Sequence, residues 1–311
     1  GLSRCGLSRC GSGGTTGFMT EDQTAPEQAA GGLPDPRIGL MSGKRGVVMG
    51  IANDHSIAYG IAAALRAHGA ELAVTYQGTA FERRVRPLAE GLGSNLVLPC
   101  DVAEPESMAE AFAEIGRKWG RLDFLVHAIA FSDKGELKGP YIETSRANFL
   151  RTLDISCYSF TDAARHAAGL MDQGGSMLTL TYAGSYRVMP RYNVMGVAKA
   201  ALEASVRYLA ADLGPRAIRV NAISAGPMRT LAGSAVGAAR YVYRYSRDHA
   251  PLRRNVQLAD VGGAGLYFLS DLSAGVTGEV HHVDSGFNIV GMPESDPAAV
   301  PARNGGEPPS E

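Results

Sequence analysis

The chain has 311 residues, 45% of them hydrophobic, and its 30 Lys and Arg nearly balance 31 Asp and Glu for a formal net charge of −1. That balance, without a dense basic patch interleaved with aromatics, excludes a nucleic-acid binder, and apolar runs of strand length fall far short of the ~20 residues that cross a bilayer. The N-terminus has no apolar secretory core, so a cytoplasmic location is expected.

The first 40 residues open with GLSRCGLSRCGSGGTTG and continue polar and rich in Pro and Gly, and residues 291–311 show no apolar period. Neither end has the side chains to repay the entropy of ordering, so both read as flexible extensions. Residues 41–290 then form a single domain. Cys5 and Cys10 sit in the repeated LSRCG without a second pair at metal-binding spacing, so no metal site is expected. Cys100 and Cys157 fall within core elements and read as small buried hydrophobes in a reducing compartment.

From residue 45 onward short β-branched runs alternate with helix-length stretches. The strands are expected at 45–49, 71–76, 94–98, 122–126, 175–180, 217–223 and 279–283, and the helices at 56–68, 80–92, 105–118, 143–169, 193–212 and 260–269. This order implies an α/β fold, a doubly wound Rossmann-type parallel sheet of about seven strands with helices on both faces. Ligands of such sheets bind beyond the C-terminal strand ends, near the switch in strand order.

Strand 45–49 runs into Gly50, where a Cβ would crowd a ligand. Ser56 can cap the next helix, and Gly60 lies on its first turn, where free backbone N–H groups can hold a pyrophosphate. The same spacing also describes an ordinary strand–helix turn. Strand 71–76 ends at Gln77, whose amide can bond a ribose hydroxyl; no acid stands there, and Arg83 and Arg84 come later, on the following helix, which favours NADH over NADPH. After 94–98, Asp101 can accept from the adenine amino group while Val102 packs on the ring, or Asp101 can simply cap a helix. Strand 122–126 leads into His127, read as a packed structural histidine, and then into small residues that let a nicotinamide ribose approach the backbone.

After 175–180 come Tyr192 and Lys199, seven apart and so two helical turns along one face. A phenol near an ammonium has its pKa drawn down and becomes a better donor to an oxyanion, although such a pair also arises with no function. Gly226-Pro227 marks a sharp exit from strand 217–223.

The runs SIAYG, CDVAE, NVMGVAKAALEASVRYLAADLG, RVNAISAGPMRT and SDLSAGVTGEVHHVDSGF, with Y-x9-Y-x6-K at Tyr182, Tyr192 and Lys199, resemble the bacterial NADH-dependent enoyl-acyl-carrier-protein reductases. These form a divergent branch of the short-chain dehydrogenase/reductase family, and the resemblance spans roughly residues 40–292. Many short-chain dehydrogenases place the lysine four after the tyrosine, where this chain has Gly196. The resemblance implies reduction of a trans-2-enoyl thioester in type II fatty acid synthesis. Tyr192, Lys199 and Tyr182 would be catalytic. Gly50, Ser56, Ile57, Gln77, Asp101, Val102, Ile129, Lys199, Met228 and Thr230 would hold NADH, and Ala130, Tyr182 and Tyr192 would meet the substrate.

Residues 231–247 mix small residues with Tyr241, Tyr243 and Tyr245 and suggest a mobile helical lid of little intrinsic stability, the family's substrate-binding loop. Arg240, Arg244, Arg247, Arg253 and Arg254 could meet an acidic acyl carrier protein, or form only a solvated face. The family also implies a homotetramer, with helices 143–169 and 193–212 as candidate interfaces. Two alternatives stay open: a 3-oxoacyl or other carbonyl reductase of the same fold, and a dinucleotide-sensing module without turnover.

Overall fold

The computed structural model describes residues 39–230 and 238–292. The two expected extensions lie outside the described residues except at 39–40 and 291–292, as do residues 231–237 of the expected lid.

In chain order the strands are β1 (Arg45–Met49), β2 (Glu71–Tyr76), β3 (Leu96–Pro99), β4 (Phe124–His127), β5 (Gly175–Thr181), β6 (Ile218–Ala225) and β7 (Val280–Val283). The helices are α1 (Ile57–Ala67), α2 (Gly78–Gly91), α3 (Pro105–Trp119), α4 (Arg146–Leu153), α5 (Ser159–Ala168), α6 (Asn193–Leu213), α7 (Ala239–His249) and α8 (Leu258–Leu269). The sheet order is β3-β2-β1-β4-β5-β6-β7, and every pairing is parallel, that of β7 included.

Burial on both faces explains why the strands read as continuous apolar runs. Val47 and Met49 point to one face, where they join Phe112, Leu125, Phe160 and Leu202 under α3, α5 and α6. Val48 points to the other face and joins Ile61, Leu65, Val74 and Phe268 under α1, α2 and α8. Each layer removes enough apolar surface from water to hold its helices, at roughly 25 cal/mol per Å².

The single helix expected over 143–169 is broken. A 3₁₀ turn at Tyr141–Glu143 precedes α4, whose N-cap Ser145 accepts from the Asn148 N–H, and a π-helical turn at Asp154–Tyr158 joins α4 to α5. A π turn inserts one residue into the ladder and re-aims the side chains around it. Here Ser156 turns toward the exit of β4, accepting from the Phe131 N–H at 2.9 Å and donating to the Phe131 carbonyl at 3.0 Å.

The order reverses between β1 and β4, so their C-terminal ends open a crevice.

Candidate active site

Gly50 leaves β1 with φ +105°, and a Cβ there would lie 2.3 Å from the Ala128 carbonyl oxygen at the end of β4. The crevice is therefore closed to any larger residue. Ser56 stands at the N-cap of α1, but its hydroxyl does not cap the helix. It accepts from the Ala52 and Asn53 N–H groups, both at 3.0 Å, and so folds the preceding loop rather than spending the first-turn amides. Gly60 packs against α8, where a Cβ would meet Leu258 at 3.0 Å, and its N–H donates to the Ser56 carbonyl at 3.2 Å.

At the far end of the crevice Gln77 donates to the Asp101 carboxylate at 2.9 Å. Asp101 also accepts from the Ala103 N–H. It does not cap α3, whose N-cap is Glu104. Ile57 and Met228 pack on one apolar layer of the sheet, and Val102 and Ile129 on the other, so these four straddle the strand ends. The Thr230 N–H bonds the Met228 carbonyl at 2.9 Å. Arg83 and Arg84 lie exposed on α2.

Tyr192 is the N-cap of α6 and not one of its turns, so the helical-face argument covers Lys199 alone. Its neighbours Arg191 and Asn193 both have positive φ, +57° and +40°, a sparsely populated backbone for such residues. The 136–139 loop holds this kink: Arg191 donates to the Lys138 carbonyl and Asn193 to the Gly139 carbonyl, each at 2.9 Å. The Tyr192 ring fills the space where a Cβ on Gly184 would be, at 2.3 Å, and a Cβ on Gly196 would lie 2.6 Å from the Gly184 carbonyl oxygen. Two glycines thus let α6 approach the turn at 183–185 and seat the phenol.

The Tyr192 and Tyr182 rings meet edge to face, 5.0 Å between centroids. Tyr192 is buried, and among the described residues its hydroxyl has no hydrogen-bond partner. Burial pushes the Tyr192 phenol above its ordinary range, and Tyr182 and Glu203 push the same way. This overturns the expectation of a phenol drawn down by Lys199, whose ammonium is turned to the Leu180 carbonyl, 2.7 Å away. Desolvation lowers Lys199 to about 8.

His127 is fully buried, its nitrogens facing the Thr179 hydroxyl at 3.2 Å and the Ser159 hydroxyl at 2.9 Å, and desolvation lowers it to about 3. It stays neutral and is packed away from the crevice. Cys100 is buried, with its thiol raised to about 12 by desolvation, and is chemically inert.

A cavity of about 190 Å³ lies between the 183–190 segment, the exit of β6 and α7, walled by Tyr182, Pro190, Ala225, Tyr241, Tyr245 and Phe287. Of the three residues expected to meet the substrate, Tyr182 lines it, Tyr192 stands one ring behind, and Ala130 is exposed and outside its wall. Within the expected lid, α7 is a formed helix that buries only Ser246. A ladder of Tyr241, Tyr245 and His249 runs along it at one-turn spacing, and Tyr245 also meets Phe287. Sequence reasoning did not find Ser156, Gly184 or the kink at 191–193, since nothing in residue type marks a π turn or a non-glycine positive φ.

A family model described as enoyl-(acyl carrier protein) reductase matches residues 50–288. The chain is 63% identical over 255 residues to enoyl-acyl-carrier-protein reductase (NADH) 2 of Rhizobium meliloti (strain 1021), covering 82% of this chain and 95% of that protein. Among solved structures, the reductase of Anaplasma phagocytophilum in complex with NAD shares 58% identity and a TM-score of 0.80, over 82% of this chain and 98% of that one. The Bacillus cereus reductase, solved with NADP+ and an indole naphthyridinone, shares 50% identity and a TM-score of 0.80, over 81% of this chain and 99% of that one. A match of this extent places the chain in the enoyl-(acyl carrier protein) reductase family.

Proposed function

We propose that this chain reduces the C2=C3 double bond of a trans-2-enoyl group on acyl carrier protein with hydride from NADH, in type II fatty acid synthesis. The observation that carries the reading is the edge-to-face Tyr182–Tyr192 pair, with Tyr192 buried and Tyr182 lining an apolar cavity.

The crevice offers a dinucleotide an amide and a carboxylate at its far end, on Gln77 and Asp101. When bound, NADH supplies the hydride that adds to C3 of the enoyl chain. Gln77, Asp101 and Val102 would hold the adenosine half. Ser56 and Ile57 at the start of α1, with Thr230, would meet the pyrophosphate, and Ile129, Met228 and Lys199 the nicotinamide half. The Asp101 carboxylate, with Gln77 already engaged on it, disfavours a second negative charge there, which supports NADH over NADPH.

In that reduction negative charge would develop on the thioester oxygen and be discharged as C2 takes a proton from solvent. Burial raises the Tyr192 pKa, so it would meet that oxygen as an O–H donor. A preorganised donor of this kind contributes about 10²–10³ in rate. Tyr182 fixes the plane of the Tyr192 ring and walls the acyl cavity.

For the carrier, α7 exposes Arg240, Arg244 and Arg247, and Arg240 and Arg244 are the two offered. Arg247 and Arg254 are engaged by Asp248 and Asp260, and Arg253 by the Asp248 carbonyl. Leu150, Tyr158 and Tyr208, exposed on α4, the π turn and α6, support the homotetramer reading of this helical face. No helix among the described residues is long and apolar enough to cross a membrane, which accords with action in the cytoplasm.

The test follows nicotinamide absorbance with NADH or NADPH and with an enoyl or a 3-oxoacyl thioester. Oxidation of NADH with the enoyl substrate alone is expected. Turnover of the 3-oxoacyl substrate alone would move the chain to the carbonyl reductases, and tight NADH binding without turnover would make it a sensing module.

A further inference from the structure

A charged lysine at 5% exposure requires compensation, because the interior solvates an ammonium poorly. The titratable groups that face Lys199 are Cys157 from the π turn, His127 from β4 and Glu203 from its own helix. β5 meets it with the Leu180 carbonyl and no titratable side chain. His127 is neutral, and Cys157 faces the Ser205 hydroxyl at 3.6 Å. Glu203 is therefore the one carboxylate in this set.

Its placement is unusual. Glu203 lies one turn beyond Lys199, where a direct ion pair would be the ordinary outcome. Instead its carboxylate accepts from the buried Thr181 hydroxyl at 2.6 Å, and among the described residues it makes no ion pair with Lys199. Thr181 follows Leu180 in β5, so two consecutive strand residues hold the two α6 side chains apart, one by its carbonyl and one by its hydroxyl.

We propose that Glu203 is a positioning residue for the reduction: an offset counter-charge, pinned by Thr181, that acts through Lys199 to keep the ammonium charged and turned toward the strand end. A closed ion pair would draw the ammonium along α6, away from Leu180. An absent carboxylate would leave it uncompensated in an apolar site. The inference rests on the reading of Lys199 as a cofactor-holding cation.

The test is the pH dependence of NADH affinity and of kcat/KM in the wild type, Lys199→Gln, Glu203→Gln and Thr181→Val. The wild type should lose affinity on the alkaline side, and Lys199→Gln should abolish that limb. Removing the Glu203 charge should move it to lower pH by about one unit, since the anion favours the charged lysine. Thr181→Val keeps the carboxylate but frees it to close on the ammonium, and should move the limb to higher pH. A limb that Lys199→Gln removes but that neither other variant moves would overturn the proposal alone. So would movement of both in one direction, or a uniform loss at every pH. A limb that survives in Lys199→Gln belongs to another group and overturns the reading of Lys199 with it.

Discussion

Tyr192 and Lys199 were legible in the sequence as a pair, but their physics was not. Spacing gave two side chains on a common helix; burial and the kink at 191–193 decided what each does. Tyr192→Phe deletes one hydroxyl from a packed ring, so kcat should fall by about 10²-fold while NADH affinity is kept, measured by steady-state kinetics beside cofactor titration. Burial lowers Lys199 to about 8, so NADH affinity and kcat/KM should decline as pH rises through that value. Stability moves the other way. The ordinary value is 10.5, so between about 8 and 10.5 the unfolded chain binds the extra proton and the contribution of Lys199 to stability rises with pH. Thermal unfolding followed over the same pH range should therefore show no loss that tracks the loss of activity.

Among the elements, strand and helix order followed from apolar periodicity, and β1 and β2 have the bounds expected for them. The break between α4 and α5 did not show, because Asp154–Tyr158 contains neither Gly nor Pro and reads as ordinary helix. The role of Gly196 was also hidden: a glycine within a helix signals close approach without naming its partner. Gly196→Ala places a methyl 2.6 Å from the Gly184 carbonyl oxygen, so α6 must back away from the turn that seats Tyr192. The expected cost is about 1–3 kcal/mol of stability by denaturant unfolding, with a loss of kcat larger than the change in NADH affinity.

For the molecule as a whole, the alternation of short apolar runs with helix-length stretches was enough to predict a parallel sheet, and with it a ligand edge at the switch between β1 and β4. The cavity was not predictable, since its walls come from four separated segments of the chain. Carrier recognition belongs to this scale, because it depends on a charged face and not on the reacting atoms. Arg240→Glu combined with Arg244→Glu should raise KM several-fold for a carrier-linked enoyl substrate. The same pair should leave a carrier-free enoyl thioester unaffected, and added salt should narrow the difference in the unmodified enzyme.

The contact between Gly184 and Gly196 also bears on descent. A lysine at position 196 would bring its Cβ within 2.6 Å of the Gly184 carbonyl oxygen, so α6 would have to back away from the turn that seats Tyr192. Exchanging a lysine at 199 for one at 196 would demand a shifted helix and a reseated tyrosine together. Carbonyl reduction on the same scaffold is thus close in architecture and distant in mutational steps. This chain is held to its chemistry by the absence of two methyl groups as firmly as by the presence of its tyrosines.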